Sequence, residues 1–154
     1  MPDVVPEHLS TAIVVDDNFD SRLIARLSLE AVGYKVTEAV NGKDGLARIQ
    51  GENFDLLILD LLMPEMNGYD VLNVLRKDAR YNSLQIVVLT ANAHMAMGEV
   101  MDMADFVMVK PVDTLRFSEL VKRLKQQHST PQPPLTPDES ATPKPLETKP
   151  PTTG

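Results

Sequence analysis

At 154 residues the chain has the length of one domain, enough to bury roughly two thirds of its unfolded surface and hold a core without staples. A net charge of −7 argues against a dedicated nucleic-acid or anionic-membrane surface, where phosphates would meet like charge. The absence of cysteine excludes disulfides and thiolate metal sites, and neither a signal peptide nor an apolar run of membrane length stands out, so a soluble, cytoplasmic protein with no membrane insertion is expected.

Residues 1–9 read as a short N-terminal extension. Ala12–Val15 is an apolar strand that ends in Asp16 and Asp17. Phe19, Leu23, Ile24, Leu27 and Ala31 then recur at helical spacing, stopped by Gly33. Val36 centres a weak second strand, and 42–50 forms a short helix carrying Leu46 and Ile49. Phe54–Leu59 has the continuous apolar character of a strand buried on both faces, and Asp60 closes it. Beyond the loop through Met63, Pro64 and Gly68, Tyr69–Lys77 is a third helix with Val71, Leu72 and Leu75 inward. Gln85–Leu89 is a fourth strand followed by Thr90. Ala93–Met103 is a poor helix interrupted by Gly98, and Phe106–Val109 is a fifth strand followed by Lys110. The last helix is capped by Asp113 or Thr114 and carries Phe117, Leu120, Val121 and Leu124 at i, i+3, i+4, i+7. Composition changes after His128, for eight of the twelve prolines fall in 129–154; this segment is expected to be an extended, partly polyproline tail or linker. The folded unit is therefore residues 10–128.

Strands alternating with helices give an α/β, doubly wound, five-stranded parallel sheet with five helices. Such a sheet gathers the carboxyl ends of its strands on one edge. Asp16, Asp17 and Asp60 then share a pocket, and three crowded carboxylates are costly to keep ionised unless a cation joins them. All-oxygen ligands favour Mg²⁺ or Mn²⁺. With the ammonium of Lys110 and the hydroxyl of Thr90, the set suits a transferring phosphoryl group, and Asp60 is the acid left to act as nucleophile. Taken singly, each residue has a plainer reading: the Asp pair as a helix cap, Thr90 as a turn former, Lys110 as a surface charge. Their joint placement at strand ends favours chemistry.

These residues resemble the receiver domain of bacterial two-component response regulators over about residues 10–127. The resemblance rests on Val-Val-Asp-Asp-Asn at 14–18, Asn41-Gly42, Asp60 with Met63-Pro64-x-Met66-x-Gly68, Thr90-Ala91 and Lys110-Pro111. It implies a flavodoxin-like fold with strand order 2-1-3-4-5 and a cis peptide between Lys110 and Pro111. It further implies that Asp60 is the phosphoacceptor, and that Asp17, Asp60 and the backbone carbonyl of Leu62 bind Mg²⁺ while Asp16 assists through water. Lys110 would pair with the acid or phosphoryl group, and Thr90 would report its arrival. The phosphoryl donor would be a histidine kinase or histidine phosphotransfer protein and the output a switched interaction with a downstream protein. Apart from phosphorylating and dephosphorylating itself, the domain would not be an enzyme.

Two departures from that family qualify the relay. Val107 stands where an aromatic residue is usual, and the interval from Thr90 to Lys110 is about two residues short, so the fourth helix is expected to be truncated or irregular. Met95, Met97, Met101, Met103 and Met108 crowd this segment, with filling of an irregular core the favoured use over a docking surface. His8, His94 and His128 are scattered and expected to face solvent. The competing reading is a Mg²⁺-dependent aspartyl-phosphate phosphatase of haloacid dehalogenase type, but that group wants a second acid two residues after the nucleophile, where this chain has Leu62. A dinucleotide-binding module lacks the glycine-rich loop after strand one.

Overall fold

The computed structural model describes residues 9–129. Their elements are β1 Thr11–Val15, α1 Phe19–Ala31, β2 Lys35–Ala39, α2 Gly42–Gly51, β3 Leu56–Asp60, α3 Gly68–Arg76, β4 Gln85–Thr90, α4 Glu99–Met103, β5 Phe106–Val109 and α5 Thr114–Ser129, with short 3₁₀ turns at Ala79–Tyr81 and Ala93–Ala96. The expected extension before residue 9 and the proline-rich segment after residue 129 lie outside the described residues.

All strands pair in parallel in the order β2-β1-β3-β4-β5. The central strand β3 is buried along its whole length, as its unbroken apolar run requires. One apolar cluster lies beneath α2, α3 and α4, built on Ile13, Leu57, Leu59, Ile86 and Val88 with Val71, Leu72 and Leu75. The other lies beneath α1 and α5, built on Ala12, Val14, Leu56, Ile58 and Val87 with Leu29, Phe117, Val121 and Leu124. Alternate residues of each strand thus feed opposite layers.

The starts of α1, α2, α3 and α5 are each set by a local side chain. Asn18, Asn41 and Asn67 accept from Ser21, Asp44 and Asp70 backbone N–H groups, and Asp113 accepts from those of Leu115 and Arg116. At the other end of α1, Tyr34 N–H reaches Leu29 O and Gly33 N–H reaches Glu30 O, the paired bonds of a Schellman stop.

One expectation about α1 is corrected. Phe19, Ile24, Leu27 and Ala31, part of the apolar stripe read from spacing, are exposed, while Ala25 and Leu29 are buried. The helix is rotated so that Arg22 turns inward: its Nη1 donates to Asp16 O at 2.8 Å and its Nε to Glu38 of β2 at 2.9 Å. The segment between β4 and β5 is short and irregular, as its spacing implied. Gly98, with φ of +65°, separates a 3₁₀ turn from the five-residue α4. Met95, Met103 and Met108 pack partly into the core, whereas Met97 and Met101 are exposed and do not fill it. His94 is exposed.

Candidate functional site

Register brings the polar strand ends together. Val15 pairs with Leu59, so Asp16 follows one strand end beside Asp60 on the next. Asp60 pairs with Leu89, placing Thr90 one step beyond it, and Thr90 pairs with Val109, placing Lys110 next. The β3–α3 loop returns tightly: a Cβ at Gly68 would lie 2.4 Å from Asp60 O and 2.8 Å from Leu61 Cα, so only glycine lets α3 start against the backbone that carries Asp60.

Asp16 and Asp60 are buried and Asp17 is exposed, with one carboxylate oxygen of each lying within 4.8 Å of the others. Lys110 Nζ stands 2.9 Å from Asp16 Oδ2 and 3.7 Å from Asp60 Oδ2, with Ser21 Oγ at 3.4 Å as a further partner. The remaining oxygens are held by the backbone: Asp16 Oδ1 accepts from Asn18 N–H at 2.9 Å and Asp60 Oδ1 from Leu62 N–H at 3.3 Å. Burial pushes the Asp60 carboxyl up to about 6, with Asp16 adding to the rise and the Lys110 ammonium and Leu62 N–H opposing it.

One ammonium does not balance three acids. The donor set is all oxygen, has one solvent-facing member and leaves coordination positions for water, which fits a hard divalent cation of the Mg²⁺ class. The peptide between Lys110 and Pro111 is cis. Thr90 is fully buried, and its hydroxyl accepts from Asn92 N–H at 3.1 Å in a local turn and is not bonded to the acids. Val107 packs with the α4-side cluster, and the neighbouring Phe106, on the opposite face of the edge strand, is partly exposed.

Asp16, Asp17, Asp60 and Lys110 therefore meet, and Thr90 lies alongside. Two residues around them escaped the sequence reading, Arg22, which bonds Asp16, and Ser21, which faces Lys110, while Asn18, whose N–H bonds Asp16, entered it only as part of a motif. An arginine inside the first turns of a helix reads as a solvent charge; only its side chain's 12% exposure reveals the inward turn.

Residues 12–131 match the family described as the response regulator receiver domain. Over 133 residues, 82% of this chain, the sequence is 31% identical to the response regulator SaeR of Staphylococcus aureus, covering 57% of that protein. Over 92 residues, 60% of this chain, it is 39% identical to the sensor protein EvgS of Escherichia coli, covering 7% of that protein. The chain thus spans little more than half the length of these relatives, or less. Among solved structures, the response regulator TrrA of Thermotoga maritima in complex with Mg²⁺ and BeF is similar, with a TM-score of 0.68 and 32% identity over 75% of this chain and 98% of that one.

Proposed function

This chain belongs to the response regulator receiver domain family of two-component signalling, and from that membership we propose that it acts as a phosphorylation switch, with Asp60 the acceptor. The observation that carries the reading is the meeting of Asp16, Asp17 and Asp60 within 4.8 Å, with Lys110 Nζ 2.9 Å from Asp16 and 3.7 Å from Asp60. A carboxylate oxygen of Asp60 attacks the phosphorus of a phosphohistidine on a histidine kinase or phosphotransfer protein. An O–P bond forms, the N–P bond breaks, and its electron pair leaves with the imidazole nitrogen. Asp17 and Asp60 with the Leu62 carbonyl, assisted by Asp16 through water, would hold a Mg²⁺ ion, which would supply charge neutralisation for the phosphoryl oxygens.

Lys110 provides the second positive charge, and its attraction to Asp16 orients the ammonium across the pocket. The Thr90 hydroxyl can exchange its bond with Asn92 for a phosphoryl oxygen and so transmit arrival to the segment that follows β4. Val107, smaller than an aromatic side chain, alters that relay toward α4 and β5. Output is a changed interaction with a downstream protein.

The phosphatase alternative has no support: Leu62 stands two residues beyond Asp60 and offers no proton, and the chain's family is the receiver family. The test is incubation with acetyl phosphate and Mg²⁺ followed by intact mass measurement. Stoichiometric gain of one phosphoryl group, lost on chelation and in Asp60→Asn, is expected. An unchanged mass, or labelling that survives Asp60→Asn, overturns the assignment.

A further inference from the structure

Three acids can meet one cation only if the turn that carries two of them keeps its shape. Asp60 ends a buried strand, and Asp16 is buried with its carboxylate bonded to Lys110 and to the Asn18 N–H. Asp17 is held differently. It is exposed, and among the described residues its carboxylate has no hydrogen bond or ion pair, so its aim depends on the backbone on either side. The peptide after Asp17 is fixed by the Asn18 N–H, which reaches Asp16 Oδ1 at 2.9 Å. The peptide before it is fixed by a side chain from the first turns of α1: Arg22 Nη1 donates to Asp16 O at 2.8 Å.

That guanidinium is itself anchored. Its Nε donates to Glu38 Oε1 at 2.9 Å, and Glu38 sits on β2 opposite Val14 of β1, with its other oxygen 3.1 Å from Arg26 Nε. The Phe19 ring, one helical turn earlier, lies 5.6 Å from Arg22 Cζ, which gives this exposed aromatic a contact that the core does not. A planar fork with fixed donor directions therefore transfers the position of β2 to the Asp16–Asp17 peptide. Among the described residues, the guanidinium bonds a main-chain carbonyl and Glu38 but none of the three acid side chains, so it does not act as their counter-ion.

We propose that Arg22 is a positioning residue of the cation site: by tying the Asp16–Asp17 peptide to Glu38, it presets the Asp17 carboxylate beside those of Asp16 and Asp60. The inference deepens the proposed function and rests on cation binding by these acids. Charge and geometry make opposite demands on it. Taking a positive charge away from beside three acids would by itself strengthen the binding of another cation, whereas loss of the tie weakens it. The sign of the change therefore separates the two. A residue that only stabilised the fold would lower the thermal midpoint and leave the affinity of the folded protein where it was.

The test is a titration of the full chain with MgCl₂, followed by backbone amide signals around Asp17. Arg22→Met, which keeps the apolar stem and removes the donors, is expected to bind Mg²⁺ about tenfold or more weakly. Arg22→Lys keeps the charge but not the fork, and its affinity is expected to fall as well. Without metal, amide exchange at Asn18 should quicken in Arg22→Met while β3 and β4 stay protected. If Arg22→Met loses that sheet protection, Arg22→Lys decides by the same measure. Unchanged or tighter Mg²⁺ binding in the folded variants overturns the proposal. Asp17→Asn tells the failures apart: if the parent binds no Mg²⁺, or Asp17→Asn binds it equally well, the cation site falls and this inference with it. Binding lost in Asp17→Asn but kept in both Arg22 variants overturns the role of Arg22 alone.

Discussion

Asp60 is the residue on which the pocket's electrostatics converge. Its carboxyl is raised from 3.8 to about 6, so the folded chain binds that proton more tightly than the unfolded chain does. The stabilisation this provides is complete below about pH 4 and is lost as pH rises through about 6. Asp60→Asn carries no such charge. In the absence of divalent cations its unfolding free energy is expected to match the parent near pH 4 and to exceed it by on the order of 2 kcal/mol at neutral pH. Urea denaturation across that range checks this, and a difference independent of pH would contradict it. The acids, Thr90 and Lys110 were legible because each follows an apolar strand. Arg22 was not, because its inward turn depends on the rotation of α1, which is fixed by bonds to Asp16 and Glu38 that no local spacing encodes.

At the scale of elements, strands and most helix faces followed from pattern, since β3 is apolar throughout and Val71, Leu72 and Leu75 admit one inward face. In α1 more than one apolar stripe fits the helical period. The buried one is narrower than the exposed one, which is why Phe19 and Leu27 were misplaced. The irregular α4 region was legible from Gly98, but its anchorage was not. Arg76 donates to Met103 O, Tyr81 O, Leu84 O and Asp105 Oδ2, pinning the end of α4 to α3 and to the start of β4. Gly98→Ala forces a side chain into the φ +65° conformation, a strain of about 1–3 kcal/mol. Amide exchange across 93–102 is expected to accelerate about tenfold or more, stopping at the Arg76 anchor while the sheet stays protected. Loss of protection in β3 and β4 would show that the segment is not an independent unit.

For the whole molecule, the alternation of strands and helices predicts parallel pairing, but the order β2-β1-β3-β4-β5 came from likeness to a known family, since crossover rules alone leave several orders open. That order gathers the acids, and a cation held by them, as proposed, would couple its binding to global stability. Mg²⁺ at a hundred times its dissociation constant is expected to stabilise the fold by about 2.7 kcal/mol, seen as a higher thermal midpoint. Asp17→Asn, at an exposed position, should remove that gain while preserving the fold in the absence of metal. An equal gain in the variant would mean that the ion sits elsewhere. The sixteen residues of α5 carry the backbone from the reacting pocket to the far side, about 24 Å away. The last described turn of α5 therefore does not crowd the acids, and the edge of the sheet that carries them is left open on that side.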